Sequence, residues 1–348
     1  MSAGFTIDER ITMKHGAGGR AMRGLIEGAF QRAFATEPVQ QAGVIGLAAM
    51  DDGAAVRIGD QWLVMTTDSH VIHPPFFPGG DIGRLSISGT VNDLAMMGAT
   101  EVLGLTCSVI IEEGFPRQDL ERILSSMRQA CHEANARVLT GDTKVMGKGE
   151  IDKIVINTTG IGLTQHVVRD STLGVGDRII VTGTIGDHGM AIMATRHGLA
   201  VDAPLESDVA PINGLIRCAL ASDPRVVTAM KDPTRGGVAS ALHEMASKSH
   251  VGILIDEASL PVRPETRGVS ELVGIDPLLI ANEGKAVLGV KAAFADRILE
   301  ALRAHPLGRD AAIIGTCTAD RPGMVVLDTG LGRRLIAEPE GEPLPRIC

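Results

Sequence analysis

Gln61-Trp62-Leu63-Val64-Met65-Thr66-Thr67-Asp68 is an apolar, β-branched run that ends on a carboxylate. It reads as a buried strand with Asp68 at its exit. Residues 84–98 follow with Leu85, Ser88, Val91, Ala95 and Met96 near helical spacing, and 102–111 is again strand-like. An amphipathic helix over 117–136 and strands over 137–139 and 153–163 complete the first half. The turn Leu173-Gly174-Val175-Gly176-Asp177 then opens a strand over 178–182.

The second half repeats the theme. Helices are expected over 188–197, 212–222, 236–249 and 293–303, and strands over 252–256, 286–290, 311–316 and 324–328. The spacing is too uneven for a doubly wound sheet, so the fold class predicted is α+β. A chain of 348 residues fits two domains better than one. They are placed at 1–168 and 169–337, followed by a tail at 338–348 where Pro and Glu dominate and periodicity stops.

Composition narrows the function. Hydrophobic residues make up 44%, enough for real cores, and the net charge of −9 with no tyrosine argues against a nucleic-acid partner. No apolar run reaches spanning length and no charged-then-apolar leader opens the chain, so a cytoplasmic location without membrane is expected. The five cysteines include no CxxC pair, which disfavours zinc and a disulfide framework. Cys107 and Cys317 sit in β-like runs and Cys131 and Cys218 in helix-like ones, where a thiol acts as a small hydrophobe. Cys348 differs. It ends Glu342-Pro343-Leu344-Pro345-Arg346-Ile347-Cys348, whose prolines bias the segment toward an extended, mobile arm. From 338 to 348 such an arm spans about 30 Å, enough to carry a thiol into a site on its own chain.

Candidate site residues recur at the ends of apolar runs. His15-Gly16-Ala17-Gly18-Gly19 enters an apolar helix over 21–34, a shape that lets backbone N–H groups approach phosphate, although it lacks the lysine–serine ending of a P-loop. Asp51-Asp52-Gly53 precedes a strand, Asp68 and Asp142 follow strands, and Asn92-Asp93 interrupts an otherwise apolar helix. Each Asp alone can be turn or cap chemistry. Converging, Asp51, Asp68, Asp93 and Asp142 would suit Mg²⁺ with phosphate oxygens. Asp142-Thr143-Lys144 adds a cation, and Asp232-Pro233-Thr234-Arg235-Gly236-Gly237 opens another helix. Asn282-Glu283-Gly284-Lys285 breaks an apolar stretch, as a turn between strands or as the place of a general base. His70 and His73 are expected at the surface, and Glu112-Glu113 solvated. The loop at 70–75, with Pro74-Pro75, has no evident role.

In order, Gly16–Gly19, Thr67-Asp68-Ser69, Gly89-Thr90-Val91-Asn92-Asp93, Thr140–Lys144, Thr234–Gly237, Asn282–Lys285 and Pro343–Cys348 resemble the carbamoyl dehydratases of nickel–iron hydrogenase maturation. These belong to the aminoimidazole ribonucleotide (AIR) synthetase superfamily. The resemblance covers nearly the whole chain, and the Pro-Arg-Ile-Cys ending is its most specific part. It implies an N-terminal α/β domain whose sheet pairs with a second copy into a homodimeric barrel, and a C-terminal α+β domain. ATP and Mg²⁺ would lie between the domains. Gly16, Gly18, Gly19, Asp68, Asn92, Asp93, Asp142 and Thr143 would hold nucleotide, while Cys348, Lys144 and Glu283 would act in catalysis. The implied reaction turns a carbamoyl group on Cys348 into a thiocyanate, the source of the iron-bound cyanide. A carbamoyltransferase would load the thiol, and an iron-holding scaffold complex would receive the product. The early motifs would also suit selenophosphate synthetase or thiamine-monophosphate kinase, although no cysteine precedes Cys107 as the former would need. A non-catalytic, ATP-switched carrier is the alternative from another class.

Overall fold

A computed structural model describes residues 10–34, 43–199, 204–339 and 346–348. The strands are β1 (Val44–Ile45), β2 (Ala54–Ile58), β3 (Gln61–His70), β4 (Phe76–Phe77), β5 (Gly80–Asp81), β6 (Glu101–Glu112), β7 (Val138–Met146) and β8 (Ile154–Thr164) in the first half. In the second half they are β9 (Arg178–Val181), β10 (Val227–Lys231), β11 (Gly252–Asp256), β12 (Val287–Val290), β13 (Ala312–Thr318), β14 (Val325–Asp328) and β15 (Arg333–Ile336). The helices are α1 (Gly19–Leu25), α2 (Arg32–Phe34), α3 (Ile82–Met96), α4 (Arg117–Glu133), α5 (Asp187–His197), α6 (Asn213–Leu220), α7 (Gly237–Ser249), α8 (Pro264–Val273) and α9 (Ala295–Arg303). A π-helical stretch, Ile26–Gln31, joins α1 to α2.

Two mixed sheets carry the architecture. The first has the order β1-β2-β3-β8-β6-β7, antiparallel except for β6 and β7, and the second has the order β10-β12-β9-β13-β11-β14-β15. The α+β expectation holds for this reason: hairpin-like neighbours dominate, and crossover helices serve only a few parallel pairs. α3 is almost wholly buried, because it packs on β3 and β8 on one side and against the second half of the chain on the other. Its N-cap is Asp81, whose carboxylate accepts from the N–H groups of Gly83 and Arg84.

β7 is exposed along its whole length and leaves one edge of the first sheet unpaired among the described residues. The strand runs to Met146 rather than ending near Leu139, so Asp142 lies inside it and not at an exit. Asp68 likewise lies within β3, opposite Thr158. Three further expectations change. His70 is buried, at 1% exposure, on the face of β3 covered by α3. Glu112 is buried too, because it accepts from Gly149 N and Lys148 Nζ. The predicted tail at 338–348 falls partly outside the described residues; within it, residues 346–348 are seated against the body of the protein.

Candidate active site

A cleft of about 810 Å³ opens between the two halves. One wall carries Gly18 and Gly19, at the start of α1. Gly18 has φ +75°, and a Cβ there would come within 2.8 Å of the Arg235 Cβ, so the close approach requires glycine. Gly16 stands behind this wall, where its carbonyl accepts from Arg235 Nη1 at 3.4 Å. Arg235 belongs to the loop that opens α7, and its guanidinium lies 3.9 Å from Asp68.

The floor is acidic. Asp68, Asp93, Asp52 and Asp232 all line it. Burial first, then the charges of Asp232, Asp68 and Asp52, push the Asp93 carboxyl well above its ordinary range. Burial and Asp52 push Asp232 up to about 8. Asp93 also accepts from Thr66 Oγ1 at 2.8 Å. Asp68 is held low despite its burial, by His70 Nε2 at 3.0 Å and then by Arg235. Gly89 makes that pairing possible, since a Cβ there would meet His70 Nε2 at 2.7 Å.

Lys231 bridges the floor to its rear, 2.5 Å from Asp52, 3.3 Å from Glu244 and 3.7 Å from Asp170. Burial alone would strip its proton, but Asp52, Glu244 and Asp170 outweigh burial and hold the ammonium charged. Asp51 is occupied elsewhere. Its Oδ2 accepts from Arg169 Nε at 2.9 Å and its Oδ1 from Asp170 N at 3.3 Å, while the Asp170 carboxyl is pushed up to about 7 chiefly by burial.

On the second-half side, Glu283 is 3% exposed, lines the cleft, and its Oε1 has no hydrogen-bond partner. Burial is the largest influence raising its proton affinity well above a usual glutamate, followed by Asp232, Asp68 and Asp208, while Arg235 opposes them. Its backbone is fixed tightly. Glu283 N donates to Asp208 Oδ1 at 3.0 Å, and neighbouring Asn282 accepts from Gly186 N at 2.7 Å and donates to Pro233 and Ile280 carbonyls. Gly284 passes so close to the Asp208 carbonyl that a Cβ would fall 1.9 Å from it. Cys348 completes the lining, and its negative charge is the largest influence raising the proton affinity of Arg235.

The cleft therefore brings together Gly18, Gly19, Asp51, Asp68, Asp93, Glu283 and Cys348. It does not bring Asn92, Asp142, Thr143 or Lys144. Asn92 points the other way and clamps the two halves together: its amide donates to the Ala210 and Glu283 carbonyls at 3.1 Å, and its oxygen accepts from Ile212 N at 2.8 Å. Asp142 and Lys144 pair with each other at 2.9 Å on exposed β7. The four-carboxylate metal set is thus not assembled in one chain, and no group of three His, Cys, Asp or Glu among the described residues could hold a metal without further ligands. Asp68 and Asp93 remain, and a Mg²⁺ held by one or two carboxylates plus phosphate oxygens and water asks for no more. Burial first, then mutual repulsion, makes the ionised forms of Asp93 and Asp232 costly, and a bound cation would relieve that cost. The sequence reading missed Lys231, Glu244 and Lys248, because charges spaced through β10 and α7 share no local pattern.

Residues 50–164 match the model of the AIR synthase related protein N-terminal domain, and 174–328 match that of the C-terminal domain. Fold and cleft together define an AIR synthase related protein of two domains. The carbamoyl dehydratase HypE of Rhizobium leguminosarum is 46% identical over 97% of this chain and 95% of its own length. A crystal structure of a HypE–HypF complex aligns with TM-score 0.83 at 43% identity, covering 90% of this chain and 99% of that one. A HypE structure in complex with ATP aligns with TM-score 0.79 at 39% identity, covering 97% and 100%. The chain belongs to the HypE family of hydrogenase maturation proteins.

Proposed function

We propose that this protein uses ATP to dehydrate a carbamoyl group carried on its own Cys348 to a thiocyanate. The observation that carries this reading is the placement of Cys348 on the wall of a cleft that also holds a glycine-rich helix start, an acidic floor and an unpartnered, proton-hungry Glu283. A thiocarbamate oxygen is a poor leaving group. Accepting the γ-phosphoryl of ATP turns it into phosphate, and loss of both N–H protons then gives R–S–C≡N, ADP and phosphate. Gly18 and Gly19 let backbone N–H groups approach the phosphates. Arg235, beside Cys348 and Asp68, meets negative charge developing on the transferred group. Glu283 takes a proton from the carbamoyl nitrogen, a role its raised proton affinity suits. Asp68 and Asp93 would hold Mg²⁺, which would supply charge neutralisation on the triphosphate.

Lys144 and Asp142 do not line the cleft described above. The unpaired edge of β7, with Leu139 63% and Val145 70% exposed beside them, supports a homodimer formed through the first sheets. In that dimer Asp142, Thr143 and Lys144 act across the interface. By its likeness to the protein in the HypE–HypF complex, the chain receives its carbamoyl group from a HypF-type carbamoyltransferase, and it passes cyanide to an iron-holding scaffold. None of the five cysteines is in a disulfide, which suits the reducing cytoplasm, and no described helix is long and apolar enough to cross a membrane.

Mass spectrometry of the Cys348 peptide tests the reaction. After S-carbamoylation of the purified protein, the peptide should lose one water only when Mg²⁺ and ATP are both present. A carbamoyl group that persists in a folded, ATP-bound protein would sink the proposal.

A further inference from the structure

The loop after β3 has no part in the chemistry above, yet it makes some of the longest-range contacts in the molecule. Val71 N donates to the Cys348 carbonyl at 3.1 Å, and His73 N donates to the Arg346 carbonyl at 3.2 Å. The chain at 346–348 thus runs antiparallel to 71–73, as a short added strand. The intervening carbonyl points to the other side. Ile347 O lies 2.8 Å from His188 Nε2 at the start of α5, and one helical face further on Arg196 donates from Nη2 to Arg346 O and from Nε to His73 O.

The tautomer of His188 follows from its neighbours. A carbonyl only accepts, so Nε2 carries the proton, and Nδ1 accepts from the Ser207 hydroxyl at 2.7 Å. Ser207 Oγ in turn accepts from Val209 N at 3.1 Å. The chain of donors is complete and runs one way. His188 is fully buried and stacked edge-on against Phe77, with centroids 5.5 Å apart, and burial holds it neutral against the pull of Asp208. Ile347 is 1% exposed and packs into the core cluster that contains Phe77 and Ile72. Arg346 pairs with Asp152.

We propose that loop 71–73, His188 and Arg196 form a latch that grips residues 346–348 by their three carbonyls and so holds the Cys348 side chain in the cleft. This rests on the reading that Cys348 carries the group to be dehydrated. His188 and Arg196 are positioning residues: they touch the carrier segment and not the reacting atoms. Recognition is through the main chain, with Ile347 as the buried anchor, so the latch takes one particular segment and no free small molecule. It also has a cost. The same carbonyl contacts must break before a carbamoyltransferase can reach the thiol, so the latch opposes loading and favours dehydration.

That opposition gives the test a sign that a merely structural role would not produce. In the full-length protein, Cys348 alkylation by iodoacetamide is timed by peptide mass spectrometry, with buried Cys317 as an internal standard of folding. His188→Ala should speed Cys348 alkylation about tenfold, the worth of one buried hydrogen bond, and slow single-turnover dehydration of the carbamoylated protein by a similar factor. His188→Gln, which can still donate to Ile347 O, should recover most of both. Ile347→Ala removes the anchor from the carrier side without disturbing the body of the protein, and should shift both rates in the same directions. Unchanged alkylation in His188→Ala and Ile347→Ala would overturn the latch. Faster alkylation in the variants, with no dehydration even in the parent protein, would leave the latch standing and remove the dehydratase reading instead.

Discussion

Glu283 sits at the meeting of two opposed demands. As the proposed base it must lose its proton before it can take one, yet burial and then Asp232, Asp68 and Asp208 all favour the protonated form. The ionised fraction of a carboxyl with raised proton affinity is small at acid pH and grows as pH climbs toward that raised value. The sign is therefore fixed. Single-turnover dehydration at saturating Mg²⁺ and ATP should go on rising with pH above the range in which an ordinary glutamate becomes fully ionised and its profile flat. Glu283→Gln should lower the rate by about 10²–10⁴-fold at the top of the parent's profile and abolish the slope, with nucleotide binding retained. A variant that keeps the parent rate would remove Glu283 as the base. Arg235 works against the same carboxyl from the Cys348 side, so bound phosphate that draws Arg235 away would sharpen the basicity of Glu283.

At the scale of elements, α3 serves two masters one residue apart. Asp93 faces the acidic floor, while Asn92 turns to the second half and satisfies two carbonyls and one N–H there. Asn92→Ala removes its hydrogen bonds to the Ala210 carbonyl and Ile212 N and leaves the Glu283 carbonyl only Ala210 N at 3.5 Å, which should cost about 2–4 kcal/mol and read out as a lower urea midpoint with an unchanged slope. A midpoint unmoved from the parent would mean that water replaces the clamp. The sequence marked Asn92-Asp93 correctly as polar intruders in an apolar helix, but could not separate their roles, because periodicity gives a direction around the helix and not what stands there. Long buried runs such as β3, β6 and β8 were legible for the opposite reason: their neighbours demand an apolar alternation that the chain itself displays. β7 was cut short because Thr140-Gly141-Asp142-Thr143-Lys144 is polar on both faces, as an edge strand can be. β10 and β15 carry lysine or arginine that hides a strand pattern, and the latch contact of His188 spans 159 residues, beyond any local signal.

At the scale of the whole molecule, the β7 edge of the first sheet is left open among the described residues. Within a chain, every strand of the first sheet except the outermost has partners on both edges, and α3 covers only one face of it. β7 offers free backbone donors and acceptors together with Leu139 and Val145, and beside them lie the Asp142–Lys144 pair that the cleft of the same chain lacks. If Lys144 acts at phosphate as proposed, the cleft gains it most directly from a second copy of the same edge, since a two-fold axis supplies each cleft at once. Val145→Lys would place a charge on that edge, where a partner strand would have to bury it. Light scattering should then show the dimer replaced by monomer. The monomer should keep its cleft and its latched Cys348, so iodoacetamide should find that thiol as slowly as before, while dehydration falls to the level of Lys144→Ala. A Val145→Lys protein that remains dimeric would move the interface elsewhere. A monomer that still dehydrates at the parent rate would show that Lys144 has no part in the reaction, and that one chain holds the complete site.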